Sequence, residues 1–185
     1  VHILAGKYRR RHLHSTPSAR VRPTARRLRE ALFDFLGARI TEARFLDLCA
    51  GSGAVGLEAL SRGASHVTFV ERSAEICSLI ELNLEQCEVP REQAEIVQAD
   101  AIDFLSRTTS RETPVWDIAF FDPPYTADYA PVLAFFGAGA MLKRKSGALV
   151  VEHHCEYRLQ EAVGTLRRWR VIRQGESCLS FYERK

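Results

Sequence analysis

From Arg44 onward the chain alternates short apolar runs with amphipathic stretches, and this repeat restricts its fold more than any other feature. Phe45–Leu48, Val67–Val70, Ile96–Gln98, Trp116–Phe121 and Ala148–Glu152 read as strands that are apolar throughout, without polar alternation. Between them lie helical spacings, through Leu57, Leu60 and Ser61, over Ile76, Leu79, Ile80, Leu82 and Leu84, and in a short piece near Phe104. Strands without alternation, separated by helices, form a parallel sheet covered on both faces. Arg168–Arg173 and Cys178–Glu183 flank Gly175 and predict a closing antiparallel pair. The expectation is an α/β fold, a mostly parallel seven-stranded sheet with helices on both faces and an antiparallel C-terminal hairpin. Ser106–Pro114 is the one polar stretch that predicts a long loop.

A chain of 185 residues, 46% of them hydrophobic, buries roughly 70% of its unfolded surface, so its core needs neither disulfide nor metal. No apolar run approaches the ~18 residues of a membrane span, and Val1–Lys7 is too short for a secretory signal. A cytoplasmic protein is expected. Its five cysteines (Cys49, Cys77, Cys87, Cys155 and Cys178) are scattered without a CxxC pair and read as reduced thiols. His153-His154-Cys155 has metal-binding chemistry, but neighbours on a strand alternate in direction and do not converge on one ion, so no metal is expected.

Charge is unevenly divided. Residues 1–29 hold nine basic residues (Lys7, Arg9, Arg10, Arg11, Arg20, Arg22, Arg26, Arg27 and Arg29) and no acid, leaving 17 basic against 23 acidic residues in the remainder. A basic arm on an acidic body points to a polyanionic partner, without separating RNA, DNA and acidic lipid. His2–Ala5 and His12–His14 predict a hairpin around the polar Gly6–Arg11. Thr24 then caps a helix whose apolar stripe is Leu28, Ala31, Leu32, Phe35 and Leu36, with Arg22, Arg26 and Arg29 expected in solvent or against a ligand. The first 40 residues therefore read as a basic hairpin and helix, and residues 41–185 as one compact unit.

Two motifs carry chemistry. Asp47-Leu48-Cys49-Ala50-Gly51-Ser52-Gly53 ends the first strand, where glycines let the backbone turn and a helix N-terminus offers free N–H donors. Glu71 ends the next strand, twenty residues after Gly51, in the place of a ribose-hydroxyl acceptor. These residues indicate an adenosine-type cofactor without saying which one. Asp122-Pro123-Pro124-Tyr125 follows the fourth strand and faces the same crevice. Its two prolines remove two donors, which leaves the Asp122 carboxylate and Pro123 carbonyl as acceptors beside an aromatic face. That suits a planar ring bearing an amino group, with Tyr125 stacked upon it.

D-L-C-A-G-S-G with D-P-P-Y resembles the amino-group methyltransferases that use S-adenosylmethionine. A-G-K-Y-R-R-R-H-L, R-P-T-A-R-R-L-R-E-A-L-F, A-G-S-G-A-V-G-L-E-A-L-S-R-G-A, F-D-P-P-Y, V-V-E-H and the final C-L-S-F-Y-E-R resemble, more closely, the bacterial small-subunit ribosomal RNA guanine-N2 methyltransferases. Arg10 stands where that family usually has glycine, and Ser73 where an acidic residue often follows. The resemblance implies a Rossmann-like class I methyltransferase fold, with residues 1–40 as an RNA-binding extension. It implies S-adenosyl-L-methionine held by Asp47, Ala50, Gly51, Ser52 and Gly53 at its methionine end. Glu71 and its neighbour Arg72 would lie at the ribose, and Asp100 and Ala101 at adenine. It implies a catalytic Asp122, Pro123, Pro124 and Tyr125, and a monomer acting on small-subunit ribosomal RNA or on the assembling subunit. Arg9, Arg10, Arg11, Arg22 and Arg26 are expected to bind the substrate, with cofactor carboxylate open as a second partner for Arg26.

Chemistry alone does not choose among guanine N2, adenine N6 and cytosine N4, since all three are planar amines. A nicotinamide-dependent oxidoreductase shares the glycine turn but gives no reason for D-P-P-Y. An RNA-binding module without catalysis has no need to keep both motifs complete.

Overall fold

The computed structural model describes residues 1–15, 23–108, 115–124, 126–139, 141–143 and 147–185, and of residues 23–25 the backbone alone. Five parallel strands, β1 (Arg44–Leu48), β2 (His66–Glu71), β3 (Ala94–Gln98), β4 (Ile118–Phe121) and β5 (Ala148–His154), are followed by β6 (Ala162–Val163), β7 (Leu166–Gln174) and β8 (Ser177–Arg184). Their order is β3-β2-β1-β4-β5-β8-β7-β6, with β8, β7 and β6 antiparallel to their neighbours. The sheet thus has eight strands where the sequence predicts seven. The addition is a two-residue pairing of Ala162–Val163 with Leu166–Arg167, too short to show a pattern.

Along β1 successive side chains enter different cores. Phe45 joins a cluster with Leu57, Phe69, Phe120 and Phe181, whereas Leu46 and Leu48 join one with Val70, Phe121, Val151 and Tyr182. Helices α1 (Pro23–Leu36), α2 (Ala54–Ser61) and α3 (Ala74–Gln86) bring Leu32, Leu57 and Ile80 to the first cluster. Helices α4 (Ala101–Thr108) and α5 (Ala130–Gly137) bring Leu105 and Phe136 to the second. The periodicity does not announce α5, because A-P-V-L-A-F-F-G is apolar nearly all round. Ser106–Thr108, predicted as loop, are the last turn of α4, and residues 109–114 of that stretch lie outside the described residues. No helix among the described residues is long and apolar enough to cross a membrane.

The cysteine expectation fails at one pair. Cys155 and Cys178 form a disulfide, while Cys49, Cys77 and Cys87 are free. Pairing of β5 with β8 sets His153 opposite Cys178 and brings two residues 23 apart in sequence together, an adjacency that sequence spacing cannot display. His153 hydrogen-bonds with the Ser180 hydroxyl at 2.9 Å through one ring nitrogen and with the His154 carbonyl at 2.9 Å through the other.

The basic arm is built into the body. The hairpin closes at a single antiparallel bridge, His2 with His12, and buries Ile3, Tyr8 and Leu13 in the first cluster. Its anchor is Glu58 on α2, fully buried, whose carboxylate accepts the Leu4 N–H at 2.8 Å and the Ala5 N–H at 3.1 Å. Arg62 donates to the same carboxylate at 2.8 Å, and Arg29 lies 4.0 Å away. Arg29 is therefore drawn into the fold rather than left in solvent, and donates to the His2 carbonyl at 2.7 Å. Asn83 secures the outgoing strand by accepting the His14 N–H at 2.7 Å and donating to the His14 and Ser52 carbonyls. Glu58→Ala leaves Arg29 and two backbone donors without their acceptor inside the protein. It is expected to cost about 3–5 kcal/mol, as removal of one partner from a buried ionic network does. Urea unfolding with an unchanged slope measures this, and a loss below about 1 kcal/mol would show the anchor to be dispensable.

Candidate active site

The sheet order turns back at β1, which pairs with β2 on one side and β4 on the other, so the loops after these strands diverge and leave a crevice. A cleft of about 1020 Å³ lies there, walled by Glu71, Arg72, Asp100, Ala101, Asp122 and Pro123. A second cavity of about 310 Å³ lies between α1 and the glycine loop, with His2, Arg26, Gly51, Ser52 and Leu179 in its wall. Cys49, Asp122 and Glu152 line both. The site is thus two chambers that meet at the ends of β1, β4 and β5.

The glycine loop begins with Cys49, a non-glycine residue held at φ +63° in the left-handed region. Hydrogen bonds fix it from behind: Ala50 N–H to the Val70 carbonyl, Gly53 N–H to the Ala50 carbonyl, and Gly51 N–H to the Glu71 carboxylate at 3.1 Å. The two glycines do different work. A side chain on Gly51 (φ +53°) would project into open space, whereas one on Gly53 (φ +75°) would meet Ile80 and Phe69 at 3.3 Å. Gly51 is therefore open to the smaller chamber, and Gly53 packs against β2 and α3.

Asp47, expected at the methionine end of a cofactor, is buried beneath the loop and lines neither chamber; its carboxylate accepts the Gly56 N–H at 2.9 Å. Burial, with Asp122 and Glu71 nearby, holds its carboxyl well above the usual carboxylate range. Glu71 also accepts the Ser73 N–H at 3.0 Å, and Asp100 accepts the Ile102 N–H at 2.8 Å at the start of α4. Both carboxylates wall the larger cleft, as do the predicted Arg72 and Ala101.

Asp122 is pushed up to about 7 by desolvation. The Cys49 thiol is pushed up to about 12 by burial and then by Asp122 and Glu71, so it stays protonated and is no nucleophile. Pro123 is buried and its carbonyl accepts no hydrogen bond among the described residues, while the Pro124 carbonyl accepts the Ala127 N–H at 2.8 Å. Tyr125 lies outside the described residues.

The predicted substrate residues separate. Arg9 and Arg10 are exposed at the hairpin tip, and Arg10 at φ +70° adopts the left-handed conformation that favours the glycine usual there. Arg11 is engaged in the fold, donating to the Gln86 carbonyl and lying 3.5 Å from Glu88. Arg26 reaches the smaller chamber, 3.9 Å from Glu30. Arg22 and the side chain of Thr24 lie outside the described residues. Glu152, which the sequence does not single out, walls both chambers because β5 pairs beside β4.

The family model described as conserved hypothetical protein 95 matches residues 1–183. "Ribosomal RNA small subunit methyltransferase D" of Haemophilus influenzae is 39% identical over 125 residues, 68% of this chain and 64% of the relative. YlbH of Bacillus subtilis is 32% identical over 183 residues, 99% of this chain and 98% of the relative. The chain belongs to this family of bacterial small-subunit ribosomal RNA methyltransferases. The solved yhhF structure of Escherichia coli superposes on this methyltransferase with a TM-score of 0.85 at 29% identity, covering 100% of this chain and 98% of the other. The Rossmann-like methyltransferase fold expected from the motifs is the fold observed.

Asp122 makes a testable linkage. An unfolded aspartate titrates near 3.9, so between about pH 4 and 7 the folded state keeps a proton that the unfolded state loses. Stability therefore falls as pH rises through this window, and the deficit persists above it. Asp122→Asn cannot ionise and is expected to melt above wild type at pH 8, with the difference closing towards pH 4. Calorimetry at both pH values checks this; equal melting temperatures at pH 8 would contradict a desolvated Asp122.

Proposed function

We propose that this methyltransferase transfers a methyl group from S-adenosyl-L-methionine to the exocyclic N2 of a guanine in small-subunit ribosomal RNA. On this reading it acts in the cytoplasm, as a monomer, on the RNA or on the assembling subunit. The observation that carries the choice of base is that Asp122 and Glu152 both line the two chambers where these join. Guanine presents adjacent donors there, N1–H and the N2 amine, which suit two acceptors side by side. Adenine N6 and cytosine N4 instead adjoin a ring nitrogen whose lone pair faces the second carboxylate unfavourably.

The larger cleft suits the cofactor. Glu71, Asp100, Asp122 and Glu152 stand in its wall, and Arg72 is the only lysine or arginine there among the described residues, so the field favours a cation. Glu71 would hold the ribose hydroxyls and Asp100 the adenine amine, with the methionine end reaching across the junction to the Gly51–Ser52 backbone in the smaller chamber. The bound sulfonium activates the methyl group, so the chain has no nucleophile to supply. Asp122 and the Pro123 carbonyl accept hydrogen bonds from the amine and favour the positive charge that develops as nitrogen attacks. The Pro-Pro backbone fixes the direction of those acceptors. Asp122, titrating near neutrality, is matched to take the proton that the amine then releases. Tyr125 would stack on the ring. A paired base cannot reach the junction, so the target is unpaired or flipped. Arg9, Arg10 and Arg26 would meet phosphates around it.

Asp122→Ala is expected to lower turnover about a hundredfold or more while S-adenosylhomocysteine affinity changes little. In wild type kcat/KM should fall on the acid side of about pH 7, and the variant should lack that limb. Labelled-methyl transfer to RNA, with calorimetry of cofactor binding, measures both. Wild-type turnover in Asp122→Ala would remove Asp122 from the mechanism.

A further inference from the structure

β7 carries a sequence that the chemistry above does not use. Leu166–Gln174 reads L-R-R-W-R-V-I-R-Q, four arginines around a tryptophan without one acid. β6 pairs only with Leu166 and Arg167, so from Trp169 onward β7 is the edge of the sheet among the described residues. A bulge between Arg168 and Arg170 interrupts the alternation and directs both Trp169 and Arg170 towards α1. The Trp169 ring lies 5.1 Å from that of Phe35 and 6.3 Å from that of Phe181, and the Arg170 guanidinium lies 5.6 Å over Phe35. Trp169 nevertheless remains 46% exposed.

Arg168 is occupied by Glu161 at 3.3 Å. Arg170 and Arg173 pair with no carboxylate among the described residues; Arg173 donates only to the Gly175 carbonyl, at 3.1 Å. Arginines on an edge strand by themselves guard against edge-to-edge pairing. That role does not call for a half-exposed indole, which is a stacking platform set among free cations.

The platform is in line with the site. Arg26, Leu28 and Leu32 of α1 wall the smaller chamber, and Phe35, beneath Trp169, stands about 14 Å further along the helix from Arg26 at 1.5 Å per residue. In the other direction β7 leads through Arg173 to Gly175–Ser177, which wall the larger cleft. We propose that Trp169 and Arg170, on the face of β7 that packs on α1, form a second binding surface for the substrate RNA. An unpaired base near the target stacks on Trp169 while Arg170 meets a backbone phosphate. The inference rests on the reading of RNA as substrate. Stacking accepts any base, so this surface positions the strand and leaves the choice of nucleotide to the chamber.

Trp169 is one of two tryptophans, and the other, Trp116, is 2% exposed, so quenching by a solute reports Trp169. The whole chain is titrated with a short single-stranded oligoribonucleotide, with binding followed independently by anisotropy of a label on the RNA. Quenching should track binding, and Trp169→Ala should weaken affinity about tenfold or more. The surface variant Arg170→Ala keeps the test decisive if the tryptophan variant unfolds. It should lower the slope of log affinity against log salt by about 0.7, for one phosphate contact. S-adenosylhomocysteine affinity should stay at the wild-type value throughout. Binding without quenching and with an unchanged salt slope overturns the proposal, as does a dimer that Trp169→Ala dissociates in sedimentation. Quenching by RNA that is never methylated overturns the methyltransferase reading and leaves this surface standing.

Discussion

Everything at this site depends on the crowding of carboxyl groups at the ends of parallel strands. Glu71 at β2, Asp100 after β3, Asp122 after β4 and Glu152 on β5 stand around one crevice, with Asp47 of β1 buried beneath its glycine loop. Such an arrangement opposes folding, and burial displaces Asp47 and Asp122 upward, with the neighbouring carboxylates adding to the displacement of Asp47. Backbone donors offset part of that cost: Gly56 N–H serves Asp47, Gly51 and Ser73 N–H serve Glu71, and Ile102 N–H serves Asp100. Asp122, at the junction of the chambers, is the group to which the proposed mechanism gives a cationic ligand and a proton-releasing amine.

The second constraint is the attachment of a basic arm to an acidic body. A tail of exposed arginines would be free to sample many positions. Glu58 and Asn83 instead grip its backbone, and Ile3, Tyr8 and Leu13 bury its apolar side. Among the described residues the arm's charges thereby divide into those tied into the fold, Arg11 and Arg29, and those exposed at its surface, Lys7, Arg9, Arg10, Arg26 and Arg27. The second group is the more open to phosphates.

The parallel strands were legible because their apolar runs and the glycine turn are local signals, and the strand-end rule then brought Glu71, Asp100 and Asp122 to one crevice. What the sequence concealed is lateral. Glu152 gains meaning only beside β4, Cys155 only beside Cys178, and Arg29 only against Glu58. The two glycines look alike in the motif, yet one faces solvent and the other faces Phe69. Asp47 likewise ends the right strand but points beneath the loop, since residues along a strand alternate in direction.

The account turns on two acceptors meeting the donor edge of guanine. Its most direct test is to incubate small-subunit ribosomal RNA with the protein and isotopically labelled S-adenosyl-L-methionine, digest the RNA to nucleosides and identify the labelled product by mass spectrometry. The account predicts N2-methylguanosine. Label recovered in N6-methyladenosine or N4-methylcytidine would contradict the pairing of Asp122 with Glu152 on the target base, and RNA left unlabelled would contradict the activity itself.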